Sequence, residues 1–288
     1  MVSPAQRREG VAWAQRRYQV SERRAIQALG VSRSSVRYRS VKPSREPLRA
    51  RIREIAGLRS SWGYLQIHTL LRREGWPVNH KLVYRLYREE GLALRRRGPR
   101  RRRSAVRREK PIVKADRPNE RWAMDFMHDT LSGGGTIRVL TVLDVHTREC
   151  VALVPGRRFT GDDVAAVLSD AGAARSSLPS VISVDNGTEF TSKSLDHWAY
   201  WNRIKLDFSR PGKPTDNAHI EAFNSLVRRE CLSQHWFIDL EDARRVLDRW
   251  RADYNNVRPH GSLARATPAD FAAGALHSTC PEELEISP

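Results

Sequence analysis

The chain has 288 residues and a formal net charge of +18. That length supports a sizeable core and more than one domain. No run of about 18 apolar residues occurs, which excludes a membrane-spanning helix. The Arg-rich N-terminus lacks an apolar stretch, which excludes a secretory signal. Cys150, Cys231 and Cys280 stand far apart, with no Cys-x-x-Cys and no metal-ligand spacing to a histidine pair. They read as reduced thiols in a cytosolic protein. The charge is uneven: residues 1–117 hold 32 Lys and Arg against 9 Asp and Glu, whereas residues 118–288 hold 19 against 24. A basic half joined to a mildly acidic half predicts a polyanion-binding module attached to something with a different task.

In chain order, residues 5–18 predict a strongly charged helix. Ser21 is an N-cap for the next segment, without a capping box because Arg24 stands where Glu is needed. Ala25, Ile26 and Leu29 give a short apolar face, Gly30 supplies a turn, and Ser32 or Ser34 caps a second short helix through Tyr38. Arg33, Ser34, Ser35 and Arg37 open that second helix. This is a helix-turn-helix pattern, in which the opening residues meet DNA. Short helical hairpins are common, and the basic residues are what tilt this one towards DNA.

Val41 to Pro47 reads as a Pro-containing linker and Leu48 to Leu58 as a basic helix. Ser61-Trp62-Gly63-Tyr64 breaks that helix, and Leu65, Ile67, Leu70 and Leu71 form the apolar face of another. Gly75-Trp76-Pro77 punctuates, and Asn79 caps a third helix with Leu82, Val83, Leu86 and Tyr87, ending near Gly91. Trp62, Tyr64, Trp76 and Tyr84 are expected in the core of this small helical domain rather than stacked on bases. Residues 95–110 are nearly all basic and aperiodic, the pattern of an extended, solvated linker. Arg100, Arg101, Arg102 and Arg103 there can also track phosphates and gain affinity by counterion release.

From Asn119 the character changes. Arg121 to Asp129 is an apolar run interrupted by Asp125. A Ser132-Gly133-Gly134-Gly135 turn follows, then two β-rich runs, Ile137 to Val145 and Glu149 to Val154, flanking a His146-Thr147-Arg148 turn. Gly161 to Ala171 is a helix with Val164, Ala165 and Leu168 inward. Next come a strand ending at Asp185, a helix around Leu195 to Trp201, a short strand from Lys205 to Phe208, and a helix carrying Glu221. The order βββαβαβα predicts an α/β fold, a mixed sheet covered by helices.

Three carboxylates call for an explanation. Asp125 in an apolar strand is costly unless paired or metal-bound. Asp185 lies at a strand end, on the rim where ligands bind in such sheets. Glu221 follows after 35 intervening residues. It lies beside an apolar stripe of Ile220, Phe223 and Val227, on a polar face shared with Asn217, Asn224, Ser225 and Arg228. Each acid alone has an ordinary reading, as a capping group or a solvated charge. Together, on neighbouring strands and a following helix, they can converge on a hard cation such as magnesium. Two such ions about 4 Å apart stabilise the attacking and leaving oxygens of phosphoryl displacement. Asp129, Asp144, Glu189 and Asp207 are rival acids, and Glu189 could assist from its loop. Lys213 and Arg228 are candidate phosphate contacts, and Asn217 either orients Glu221 or touches DNA.

The motifs Trp122-Ala123-Met124-Asp125, Asp185-Asn186-Gly187-Thr188-Glu189-Phe190 and Pro211-Gly212-Lys213-Pro214-Thr215-Asp216-Asn217 leading into Glu221-Ala222-Phe223-Asn224 carry a resemblance. So does the later block Trp250, Asp253-Tyr254-Asn255, Arg258-Pro259-His260, Leu263 and Thr267-Pro268. They resemble the retroviral-integrase-type catalytic core of bacterial insertion-sequence transposases. This is the DDE class on an RNase H-like fold, here of the OrfB-like type encoded by a second reading frame. The segment from Trp62 to Leu94 resembles the helical domain preceding that core. The resemblance implies a cytoplasmic, nucleoid-associated enzyme in which Asp125, Asp185 and Glu221 bind Mg2+ (or Mn2+), two ions in all. Water or a DNA 3′-hydroxyl then attacks a phosphodiester, giving strand cleavage and strand transfer. It implies DNA as partner (terminal repeats and target), a homo-oligomer on DNA, and an upstream OrfA-like partner supplying a zipper and a further helix-turn-helix. No counterpart of the zinc-binding His/Cys module of retroviral integrases is present. The expected organisation is a helix-turn-helix-like segment at 1–42, a small helical domain at 47–94 and a basic linker at 95–117. An RNase H-like core at 118–232 and a C-terminal helical extension and tail at 233–288 follow. The alternatives are a non-catalytic DNA-binding regulator, or a nuclease of the same fold that cuts without joining.

Overall fold

The computed structural model describes residues 4–39, 45–94, 115–210 and 217–278. Two compact units are present, Met1–Leu48 and Arg49–Pro288. In the first, helix α1 (Pro4–Tyr18) packs with α2 (Glu22–Ala28) and α3 (Arg33–Arg37) around Val11, Ala25 and Val31. Ser21 caps α2 by accepting from the Arg24 amide, and Ser32 caps α3 by accepting from the Ser35 amide. Gly30 adopts φ +59° between them, a left-handed turn that a side chain would strain.

The second unit opens with α4 (Glu46–Leu58), α5 (Tyr64–Arg73) and α6 (His80–Glu89). Helix α4 already begins at Glu46, so the predicted linker is shorter than Val41 to Pro47. Pro47 lies in the first helical turn, where its missing N–H has no intrahelical partner to lose. Trp62 is buried as expected, but Tyr84 is 43% exposed and leans on the ring of Tyr64 at 4.8 Å. Tyr84 is therefore not a core residue.

The sheet follows, with strand order β3-β2-β1-β4-β5. Strands β1 (Arg121–Thr130), β2 (Thr136–Asp144) and β3 (Cys150–Gly156) form an antiparallel meander, and β4 (Val181–Val184) and β5 (Lys205–Phe208) add in parallel beside β1. Helix α7 (Gly161–Arg175) crosses from β3 to β4, and α8 (Lys193–Trp201) from β4 to β5. This is the RNase H-like arrangement. Side-chain alternation splits the core into two faces. Trp122, Met124, Ile182 and Val184 meet α7 and α8 residues Leu168 and Leu195 on one side. Ala123 and Met127 meet α9 (Ala218–Glu230) and α10 (Leu240–Asn256) on the other, through Ile220, Phe223, Val227, Leu247 and Tyr254. Helix α11 (Pro268–Ser278) follows.

The late motif block binds the layers together. The Asn255 side chain accepts from the Cys150 amide at 2.9 Å and donates to the Cys150 carbonyl at 3.0 Å. The Tyr254 hydroxyl donates to the Arg148 carbonyl at 3.0 Å. Arg258 forms an ion pair with Glu230 at 2.6 Å, with both side chains almost wholly buried. Arg59, just past α4, pairs with Asp253 of α10, and Arg73 of α5 donates to the Val257 carbonyl at 3.1 Å. Helices α4–α6 and the sheet region are thereby parts of one compact unit. Cys150 and Cys231 are buried and form no disulfide among the described residues; Cys280 lies outside the described residues. Among the described residues no helix is long and apolar enough to cross a membrane.

Candidate active site

Parallel pairing of β1 with β4 sets Arg121 opposite Val181, Trp122 opposite Ile182 and Ala123 opposite Ser183. Two residues further along each chain come Asp125 and Asp185. The two aspartates thus stand level on adjacent chain segments. The period of two puts both on the face covered by α9. Helix α9 carries Glu221 in its first turn, one turn before the buried Asn224.

The Asn224 amide donates to Asp125 Oδ2 at 2.8 Å, and the Phe126 amide donates to Asp125 Oδ1 at 2.8 Å. Even so, the Asp125 carboxyl is pushed up to about 6, first by burial and then by the negative charges of Asp185 and Glu221. Burial alone raises any carboxyl; the added repulsion shows that all three acids share one electrostatic neighbourhood. Asp185 caps its own turn, accepting from the Gly187 amide at 2.9 Å. A Cβ at Gly187 would come to 3.0 Å from Asp185 Oδ1, so a side chain there would press the carboxylate out of place by a few tenths of an ångström. Asn186 ties the same turn to the end of β5, donating to the Ser209 carbonyl at 2.9 Å.

The neighbouring acids are otherwise engaged. Glu189 pairs with Arg138 of β2, which holds its carboxyl below the usual range, and the Arg138 guanidinium lies 4.1 Å over the Phe126 ring. Glu189 thereby ties the turn to β2. Asp207 pairs with Arg121, and Asp144 is fully buried and accepts from three amides, those of Asn119, His146 and Thr147. Asp129 accepts from the Thr130 amide beyond the site.

The remaining candidates are dispersed. Asn217 is buried and donates to the Met124 carbonyl at 3.4 Å, so it fastens the start of α9 to β1. Arg228 is exposed and donates to the His128 carbonyl at 2.7 Å. Arg33, Ser34 and Arg37 lie on α3 in the other compact unit, where Glu22 receives Arg37 at 3.0 Å and Arg33 at 3.7 Å. Arg100, Arg101, Arg102, Arg103 and Lys213 lie outside the described residues. Sequence reasoning placed Asn224 on the polar face but gave it no task. Its position one turn after Glu221 was the available signal.

Among the described residues no three His, Cys, Asp or Glu side chains close up as they stand into a set that could hold a metal ion. The donor chemistry nonetheless suits a hard dication. The three groups are all carboxylates, Asp185 and Glu221 repel Asp125, and the buried Oδ1 atoms of Asn217 and Asn224 accept no hydrogen bond among the described residues.

The chain matches two models described as integrase core domain, over residues 115–214 and 202–268, and one described as HTH-like domain, over residues 43–101. It is 45% identical over 256 residues to the insertion element IS407 31.7 kDa protein of Burkholderia multivorans, covering 88% of this chain and 91% of that one. It is 39% identical over 273 residues to the insertion element IS476 39.2 kDa protein of Xanthomonas euvesicatoria, covering 94% and 78%. A chain of the simian T-cell lymphotropic virus intasome aligns with a TM-score of 0.49 at 15% identity, over 82% of this chain and 76% of that one. With the IS407 relative alike over nearly the whole of both chains and the integrase core models spanning the acids, the chain belongs to the insertion-sequence transposases, of the OrfB-like type with an integrase-type core.

Proposed function

We propose that this chain is a DDE transposase that cleaves DNA strands at the ends of an insertion sequence and transfers them to a target, with Asp125, Asp185 and Glu221 as the metal-binding triad. The observation that carries this is the level placement of Asp125 and Asp185 on adjacent segments, with the repulsion that Asp125 receives from Asp185 and Glu221. Magnesium, when bound, polarises the phosphodiester and activates the attacking hydroxyl. Asn224 aims the Asp125 carboxylate, the Asn186-Gly187 turn fixes Asp185, and Asn217 anchors the helix bearing Glu221. Arg33, Ser34, Arg37 and Arg228, with Arg100 to Arg103 and Lys213, supply DNA contacts. Joining two element ends requires more than one copy on DNA, and an OrfA-like partner completes end recognition.

The test is magnesium-dependent cleavage and joining of a labelled duplex carrying the element's flanking ends, wild type beside Glu221→Gln. Joined products from wild type alone support the transposase. Cut but unjoined products would point to a nuclease. Tight binding without products, even with the OrfA-like partner added, would point to a regulator.

The raised Asp125 carboxyl gives an independent check. Its folded value of about 6 lies above the ordinary aspartate value of 3.8, so protonation favours the fold. That contribution is fully present below about 3.8 and is lost as pH rises through about 6. Magnesium competes with the proton for this site. It is expected to raise Tm at pH 7.5 and to have little effect at pH 5, and Asp125→Asn is expected to abolish the gain. An equal gain at both pH values would remove Asp125 from the metal site.

In the helix-turn-helix, Arg37→Ala is expected to weaken binding to the correct end about tenfold and to random duplex about twofold, the pattern of a base contact. Equal losses in a competition assay would make Arg37 a phosphate contact only.

A further inference from the structure

The triad accounts for the first turn of α9, but the same helix continues into a second feature. Its C-terminal half forms one wall of an open cleft of about 860 Å3, and Ser60, Ser61 and Leu94 from the α4–α6 region form the other. Ser225 and Arg228 follow Glu221 at i+4 and i+7, so they share its helix face. Rising about 1.5 Å per residue, Arg228 and Arg229 lie about 10–12 Å along the axis from Glu221, about three base steps of 3.4 Å.

Among the described residues no acid lines this cleft, and Glu230 lines the smaller pocket beside it, which shares Ser60, Ser61 and Gln234. Its polar groups are hydroxyls, an amide and two guanidinium groups. Gln234 spans it, donating to Ser60 Oγ at 3.2 Å and to the Arg229 carbonyl at 3.0 Å, which leaves the Ser60 hydroxyl proton free to donate outward. Ser225 and Ser233 are exposed, and their hydroxyls make no hydrogen bond to another described residue. Beneath the floor, Glu230 is neutralised by Arg258 at 2.6 Å and takes the Ser61 hydroxyl, while Arg229 reaches it only at 3.4 Å. The Arg59 and Arg258 guanidinium groups lie over the Trp62 ring, 5.4 and 5.9 Å from its centre, and Arg59 pairs with Asp253. The two walls are therefore fixed to each other before any ligand arrives. In sequence, Leu94 is followed directly by the basic run that begins at Arg95.

A groove whose described lining carries hydroxyls, an amide and two guanidinium groups, and no carboxylate, fits a chain of phosphodiesters and offers no pattern for reading bases. We propose that this cleft holds the sugar-phosphate backbone of the DNA adjoining the reacting bond. In that role α4–α6 is a wall of the substrate channel rather than a separate recognition module. The proposal rests on the transposase reading in taking DNA as the ligand.

The test is equilibrium binding of the full chain to a labelled duplex carrying the element end, in calcium to prevent cleavage, at several salt concentrations. Arg229→Gln and Ser233→Glu are the variants, each with its Tm measured. Arg229→Gln is expected to weaken binding about fivefold and to lower the salt slope by about 0.9, one phosphate contact. Ser233→Glu is expected to weaken binding more than tenfold, with Tm unchanged in both. Ethylation of phosphates two to five nucleotides from the cleaved bond should block wild-type binding and lose that effect in the variants. The same losses with a single-stranded end would show that one strand suffices. Variants that bind, footprint and follow salt like a wild type that itself binds and cuts would overturn the cleft alone. A wild type that binds no duplex would overturn both this assignment and the transposase reading.

Discussion

Glu221→Gln is expected to lower DNA cleavage about a thousandfold, roughly 4 kcal/mol of transition-state stabilisation, while changing DNA affinity less than about twofold. Glu221 is exposed on the first turn of α9, so the amide replaces the carboxylate without a burial penalty or an orphaned partner. What is lost is one negative oxygen donor facing Asp125. Asp125→Asn should be equally inactive, but with an additional signature. It removes a charge that burial, Asp185 and Glu221 all disfavour. The metal-free protein should therefore melt at a higher temperature than wild type at pH 7.5, an exchange of stability for function common at strained sites. Cleavage by either variant at wild-type rate would refute the triad; a lowered Tm for Asp125→Asn would show that the carboxylate is a structural ligand of Asn224 instead.

The largest effect on folding is expected at the opposite end of α9. Arg258 and Glu230 pair at 2.6 Å with their side chains 10% and 9% exposed. Burial depresses the Arg258 guanidinium, which shows how strongly this site disfavours a charge left without its partner. Arg258→Ala leaves Glu230 buried with the Ser61 hydroxyl and the more distant Arg229. The expected cost is about 3–5 kcal/mol, and a loss of about 10 °C in Tm. The double variant Arg258→Met with Glu230→Gln should recover more than half of it, because removing both charges also removes the desolvation penalty. A single-variant loss no greater than that of an exposed pair, below about 1 kcal/mol, would mean that water reaches Glu230.

Much of this molecule is legible in its sequence. The order βββαβαβα, the strand from Lys205 to Phe208 and the stripe of Ile220, Phe223 and Val227 all follow from local periodicity, which responds to one burial face at a time. The three acids were legible as a set because an acid in an apolar strand has few reasons to exist. What sequence could not supply were pairings across distance. Glu189 looked available until Arg138, 51 residues away, claimed it. Asn217 looked solvent-facing on a helical wheel, but it sits at the helix start against the Met124 carbonyl. Tyr84 falls at an apolar-looking position, yet it is 43% exposed, with the ring of Tyr64 at 4.8 Å and the Arg88 guanidinium at 6.0 Å. The late block around Asp253, Tyr254, Asn255 and Arg258 was visible only as a resemblance. Its physical task, joining α10 to β3, α9 and the α4–α5 turn, depends on partners scattered over the chain.

The bonds from Asn255 to Cys150 have one more consequence. Strand β3 ends the sheet on one side, and a terminal strand offers unpaired amides and carbonyls to any passing extended chain. Asn255 takes up one such amide and carbonyl with its own side-chain amide, imitating the bonds that a sixth strand would make. Pro155, later in the same strand, has no N–H to offer. At the other margin β5 is only four residues long and opens with Lys205. Both margins are thus poor templates for strand addition, and a basic chain that must be concentrated on DNA is guarded against sticking to its own copies through β-pairing.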